Sequence, residues 1–288
     1  MEETILGVIG GSGVYDMEGL QDAREVRVKT PFGDPSDAIV LGTLSGIGVA
    51  FLARHGRGHR IMPSELNSRA NIYALKSLGV EYIVAVSACG SMREDYAPRH
   101  IVVPDQIFDR TKARPSTFFG DGLVVHIGFD EPFCPVLSDM VLEAAQQTGA
   151  TVHKGGTFII MEGPQFSTKA ESRIYRQWGV DIIGMTALPE AKLAREAEIC
   201  YATMAHVTDY DVWHEAKEPV TVAMVVENLL ANAAVAKQAL TYLAPMIASH
   251  KERTCNCSSA LAAAVLTAPD QIPESRKKDL SLLIAKYL

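Results

Sequence analysis

The sequence predicts one α/β domain, a mixed central β-sheet flanked by helices, and three observations carry that prediction. Short runs of apolar and β-branched residues alternate with segments of helical period along the whole 288 residues. Hydrophobic residues make up 48% and charged residues 21% of the chain, ordinary globular values that supply a substantial core and leave no disordered tract. No internal repeat or interdomain linker breaks the alternation, so residues 1–288 read as one domain, with a polar link at about 249–259 and a helix after it.

Ile5 to Ile9 is a buried strand that runs into Gly10-Gly11-Ser12-Gly13, where glycine admits positive φ and successive N–H groups can face an anion, although a plain tight turn uses the same residues. Asp16 stands where a dinucleotide fingerprint needs its third glycine, and no P-loop lysine follows. Strands are expected at 25–28, 38–41 and 48–53, the last ending in Arg54-His55-Gly56-Arg57-Gly58-His59-Arg60. Cations interleaved with glycine suit an anion site better than a solvated charge run.

Ser64 is the expected N-cap of a helix whose stripe, Leu66, Ala70, Tyr73 and Leu75, stops at Gly79. Tyr82 to Val86 is a buried strand ending in Ser87-Ala88-Cys89-Gly90-Ser91, small, hydroxylated and glycine-bearing, where a backbone must approach something closely. A short strand at 101–106 precedes an irregular stretch, 108–135, that suits a loop or an oligomer contact. A helix is expected at 136–148, a strand at 157–161, a capping box of Thr168 with Glu171 opening a helix to Trp178, and a strand at 180–184 leading to Met185-Thr186. Pro189 starts the next helix, to Ala197. The run from Ile199 is a buried strand closing on Asp209 and Asp211, two carboxylates on one side of an extended chain. An amphipathic helix spans 222–240 and a last one 274–288.

A net charge of −7 excludes a broad basic footprint for nucleic acid, and no apolar run is long enough to span a bilayer. The acidic start, Glu2 and Glu3, is unlike a secretory leader, so a cytoplasmic location is expected. The five cysteines, Cys89, Cys134, Cys200, Cys255 and Cys257, are odd in number and lack paired metal-ligand spacing. No metal is expected, and Cys255-Asn256-Cys257 reads as free thiols or a local disulfide.

In open α/β sheets ligands collect beyond the carboxyl ends of the strands. Four such ends carry Ser12, Arg54-His55, Ser87-Ala88 and Met185-Thr186, donors suited to phosphate, and a fifth carries Asp209 and Asp211, suited to a group that donates hydrogen bonds. A purine nucleoside with phosphate satisfies both. Singly, each residue has a plainer reading: Asp-x-Asp is a common turn, His55 a structural histidine, Phe166 and Met185 core side chains.

The ordered set Gly10-Gly11-Ser12-Gly13, Thr30-Pro31-Phe32-Gly33, Ala53-Arg54-His55-Gly56-Arg57, Ser87-Ala88-Cys89-Gly90-Ser91, Glu131-Pro132-Phe133-Cys134-Pro135, Glu162-Gly163-Pro164-Gln165-Phe166-Ser167, Gly184-Met185-Thr186 and Thr208-Asp209-Tyr210-Asp211 resembles the purine nucleoside phosphorylases of the trimeric type over nearly all of residues 5–240. That resemblance implies phosphate held by Ser12, Arg54, His55, Ser87 and Thr186, with main-chain contacts from Ala88. It implies Met185 at the ribose, Phe166 on the purine face, Asp209 and Asp211 at the base edge, Ser167 and Val222 setting specificity, and His126 reaching a neighbouring subunit's 5' pocket. It further implies a homotrimer or a dimer of trimers, no cofactor beyond phosphate as co-substrate, and 5'-methylthioadenosine as substrate, with adenosine or inosine as the alternative.

Phosphorolysis breaks the N-glycosidic bond through a cation-like ribosyl centre, so an anion must lie under C1' while N7 of the departing purine gains a proton. Asp209 is the candidate acid, its pKa expected to rise by burial beside Asp211. Carboxylates accept from a 6-amino group and repel a 6-oxo oxygen, which favours adenine-type nucleosides. A nucleosidase, against which the Arg54-His55 cluster argues, and a nucleoside-binding protein without turnover are the other readings.

Overall fold

The structure, a computed structural model, describes residues 4–11, 14, 17, 19–214, 222–250 and 252–288, with the side chains at 222–227 and 229 outside that description. Eleven strands join in one sheet among the described residues. They are β1 (Thr4–Gly10), β2 (Gln21–Val26), β3 (Ile39–Leu44), β4 (Ile47–Ala53), β5 (Tyr82–Ser91), β6 (Ile101–Val103), β7 (Gln106–Arg110), β8 (Val152–Lys154), β9 (Thr157–Met161), β10 (Ile182–Gly184) and β11 (Cys200–Asp209). The helices are α1 (Ser68–Ser77), α2 (Pro135–Gln146), α3 (Lys169–Gln177), α4 (Ala187–Glu196), α5 (Val222–Ser249), α6 (Glu274–Asp279) and α7 (Ser281–Ile284). This is the mixed α/β sheet with flanking helices that the alternating pattern predicts.

The central strands are mostly apolar because both faces are covered. Along β11, Cys200, Ala202 and Met204 pack with α2 and α5, while Tyr201, Ala205 and Val207 pack with α1 and α4. The same alternation divides β5, with Tyr82, Val84 and Val86 on the first face and Ile83, Ala85 and Cys89 on the second.

β5 is where the sheet branches. On one edge it pairs with β11 in parallel from Tyr82 to Gly90. On the other it pairs in parallel with β1 from Tyr82 to Ala85, then antiparallel with β10 at Gly90 and Ser91. Between those partners, Val86 to Cys89 has no neighbouring strand on that edge, and the opening lies beyond the carboxyl end of β1.

Several local expectations are corrected. Ser64 sits in a 3-10 turn, and α1 is capped instead by Asn67, whose side chain accepts from the Ala70 amide. The strand expected to end at Val86 runs on to Ser91, because β10 and β11 pair with its last residues. The stretch 108–135 begins as β7 and buries Phe118, Phe119, Leu123 and Phe133, so it packs into the core despite its turn-rich composition. α5 runs nine residues past Leu240, to Ser249, through Pro245. The expected last helix is broken at Leu280 (φ −104°, ψ 11°) into α6 and α7. The capping box at α3 forms as read, with Thr168 and Glu171 bonded reciprocally.

Candidate active site

The opening in β5 is lined from three directions. Arg54, just past β4, reaches under it and donates from Nη1 to the Val86 carbonyl (3.0 Å) and from Nη2 to the Ile9 carbonyl (3.2 Å). From the far side Thr186, the residue before α4, brings its hydroxyl to 3.1 Å from that of Ser87. Ala88 is exposed at the same edge. Ser87, Ala88, Thr186 and Arg54 are therefore brought together as expected.

Arg54 is not a free cation. It is 2% exposed and paired with buried Glu190 of α4, Nε to Oε1 at 2.6 Å and Nη2 to Oε2 at 3.2 Å, and Tyr201 donates its hydroxyl to the same carboxylate at 2.9 Å. Four of the guanidinium's five N–H groups are thereby directed at protein atoms, so it serves as a fixed donor whose charge Glu190 balances. The remaining cations of that run do not form an anion site: Arg57 pairs with Glu25 (2.6 Å), Arg60 donates to the Ser36 carbonyl (2.9 Å), and His59 stacks on His55.

His55 places Nδ1 2.8 Å from the Ile61 carbonyl. A carbonyl only accepts, so Nδ1 carries the proton and Nε2 of the neutral ring is an acceptor. Burial, reinforced by the charge of Arg54, lowers its pKa to about 4. Ser12 lies outside the described residues.

The Asp pair stands at the end of β11, opposite Gly90. A Cβ added to Gly90 would lie 3.0 Å from Ile183 Cγ2, 3.2 Å from Asp209 Oδ1 and 3.4 Å from Asp211 Cβ, so β5 packs closely on β10 and on both acids there. The two carboxylates do not share a side of an extended strand as expected. The strand ends at Asp209, and Asp211 turns into a positive φ of 51°, donating its amide to Asp209 Oδ1 at 2.8 Å. This is an Asx turn, and it brings the acids together by folding the chain back. Thr208 donates to the other oxygen of Asp209 at 2.7 Å. Burial raises the Asp211 carboxyl above its ordinary range, the charge of Asp209 adds to this, and a hydroxyl donated by Ser172 at 2.5 Å opposes it.

Ser172 and Arg114 escaped the sequence reading. Ser172 is fully buried on α3, and its only sequence signal is its place four residues after the capping threonine. Arg114, in the supposed loop, donates to the Met185 and Leu188 carbonyls on one side and the Met161 and Glu162 carbonyls on the other. It clamps the segment carrying Met185 and Thr186 to the one leading to Phe166 and Ser167, a link between positions too far apart in sequence to be paired by spacing. Met185 packs on Gly163, where a Cβ would meet its sulfur at 2.6 Å. Phe166 is 79% exposed, which removes the core-aromatic reading, and Ser167 is buried against the Met161 sulfur. His126 is exposed on a segment bonded to Ala264. Val222 opens α5, its side chain outside the described residues.

The family model of the phosphorylase superfamily matches residues 5–244, and the chain belongs to that superfamily. Within it, the chain is 58% identical to S-methyl-5'-thioadenosine phosphorylase of Gloeobacter violaceus, over 98% of this chain and 95% of that one. It is 56% identical to the protein of the same name from Koribacter versatilis, over 98% and 96%. Among solved structures, a methylthioadenosine phosphorylase from an antarctic soil metagenomic library superposes with a TM-score of 0.95 at 48% identity, covering 98% of this chain and 99% of that one. Methylthioadenosine phosphorylase from Schistosoma mansoni in complex with adenine gives 0.80 at 33% identity, covering 98% of each.

Proposed function

We propose that the protein catalyses phosphorolysis of 5'-methylthioadenosine to adenine and 5-methylthioribose 1-phosphate, with inorganic phosphate as co-substrate and no other cofactor. The observation that carries this is the placement of both halves of the chemistry on one strand. Ser87, facing Thr186, and Gly90, facing the two acids, are three residues apart on β5, about 10 Å at ordinary strand rise. That span suits a phosphate under C1' and a purine edge beyond it.

Ser87, Thr186, Arg54, His55 and the Ala88 main chain hold phosphate in this reading, with Ser12 beside them. Phosphate attacks C1' as the glycosidic bond breaks, and the electron pair departs on the purine, whose N7 receives the proton of Asp209. Asp211 accepts from the 6-amino group. Phe166 lies on the purine face, Met185 contacts the ribose, Ser167 and Val222 help set specificity, and His126 reaches a neighbouring subunit's 5' pocket in a homotrimer or a dimer of trimers. A cytoplasmic enzyme of purine and methionine salvage fits this chemistry. Among the described residues no helix is long and apolar enough to cross a membrane.

Hydrolysis is the second reading, because Glu190 neutralises Arg54 and removes part of the electrostatic argument for an anionic nucleophile. Adenine release measured with and without phosphate, on methylthioadenosine, adenosine and inosine, separates the readings. The proposal expects strict phosphate dependence and a strong preference for 6-aminopurines; comparable kcat/KM on inosine contradicts it.

A further inference from the structure

Four of the five cysteines, scattered in sequence, meet in space. The sulfurs of Cys134, Cys200, Cys255 and Cys257 all lie within 4.8 Å of one another, and no pair is bonded. They arrive from three segments: Cys134 is the residue before α2, Cys200 opens β11, and Cys255 and Cys257 flank Asn256 at a 3-10 turn in the polar link. This is why no ligand spacing was visible in the chain. Cys134, Cys200 and Cys257 are buried and Cys255 is half-buried.

The structure assigns these four thiols to a tetrahedral site for one zinc ion. With zinc–sulfur bonds of about 2.3 Å, the sulfurs of such a site stand about 3.8 Å apart, and Cys200 Sγ lies 3.4 Å from Cys255 Sγ. Mutual closeness of all four is what a single central ion requires, whereas two disulfides require only two close pairs. The chemistry of the surroundings agrees. Cys134 stands at the positive end of a twelve-residue helix, which favours thiolate. Arg253, two residues before Cys255, pairs with Glu81 at 3.6 Å and donates to the Glu198 carbonyl at 2.9 Å, and so fixes the segment that carries Cys255. Four soft ligands without carboxylate or imidazole select zinc over magnesium or calcium. The site lies at the opposite end of β11 from Asp209, nine residue steps or about 30 Å away. It would staple α2, β11 and the C-terminal segment and take no part in turnover, so it stands independently of the phosphorylase reading.

Metal content of the full chain, purified under reductant without chelator and then exposed to excess Zn2+, tests this. About one zinc per chain is expected, as a fully thiolate structural site binds. Cys257→Ser is expected to lose that zinc, and Cys89→Ala, which changes the cysteine outside the cluster, to keep it. Cobalt loading should give a sulfur-to-metal charge-transfer band in the parent. Should Cys257→Ser fail to fold, the parent's zinc content and cobalt spectrum decide alone. Four freely titratable thiols with no zinc retained, or two disulfides in protein that excludes zinc, would overturn the assignment.

Discussion

At Asp209 both carboxylate oxygens already accept a hydrogen bond, from the Thr208 hydroxyl and the Asp211 amide. The side chain is thus aimed before substrate arrives. In Asp209→Asn the amide keeps the shape but holds an N–H₂ toward the base, so kcat/KM for 5'-methylthioadenosine should fall about 10²- to 10⁴-fold, the usual worth of a general acid, while the ratio for inosine over methylthioadenosine rises. An unchanged ratio would show that the carboxylate does not read the base. Ser172→Ala deletes the bond that orients Asp211. A hydrogen bond to a charged group contributes about 1.5–3 kcal/mol, so a 10- to 100-fold loss in kcat/KM is expected, and Ser172→Thr should restore part of it.

His55 supplies a pH-dependent test. Its proton on Nδ1 and its pKa of about 4 make Nε2 an acceptor at neutral pH. It can therefore bond phosphate only by taking the hydroxyl of the hydrogen phosphate ion or by gaining a proton as the anion enters. Where the ring gains the proton the bound anion favours its charged form, and the His55 titration followed by NMR should then move upward from about 4 when phosphate is added. No movement would show that His55 does not gain a proton when phosphate binds.

Among the elements, β5 and α4 matter most, because together they build the opening. The Arg54–Glu190 pair ties the end of β4 to α4 with side chains 3% and 1% exposed. Glu190→Ala leaves a buried guanidinium unbalanced and should cost about 3–5 kcal/mol in urea unfolding, as for other broken buried pairs. A loss under 1 kcal/mol would mean that solvent reaches Arg54. The elements themselves were largely legible: β1, β4, β9 and α3 fall within a residue or two of their expected bounds, because each has a strong apolar period or a cap. What was hidden is pairing. The strand is expected to stop at Val86, before the glycine and small residues of 87–91, and its neighbours β10 and β11 hold it extended to Ser91.

For the whole molecule the sequence showed Arg54, Ser87, Thr186, Asp209 and Asp211 as strand-end residues but not the contacts among them. Glu190, Ser172 and Arg114 act through partners 136, 39 and 71 positions away, separations over which no local period carries a signal. The cysteine cluster was missed for the same reason. His206, fully buried on β11 with neither ring nitrogen bonded, has its pKa lowered to about 4 by burial alone. The unfolded chain binds this proton near pH 6.5 and the folded one does not until about 4, so stability is lost as pH falls through that window. His206→Leu should flatten the acid slope relative to the parent, and equal slopes in calorimetry from pH 7 to about 4 would refute the buried neutral histidine.

Phosphate, not water, should take the ribosyl group in the opening of β5. Phosphorus NMR of the reaction in phosphate buffer reads this directly: one sugar 1-phosphate should form for every adenine released, with no adenine formed when phosphate is omitted. Free methylthioribose accumulating at the same rate in the absence of phosphate would make water the nucleophile.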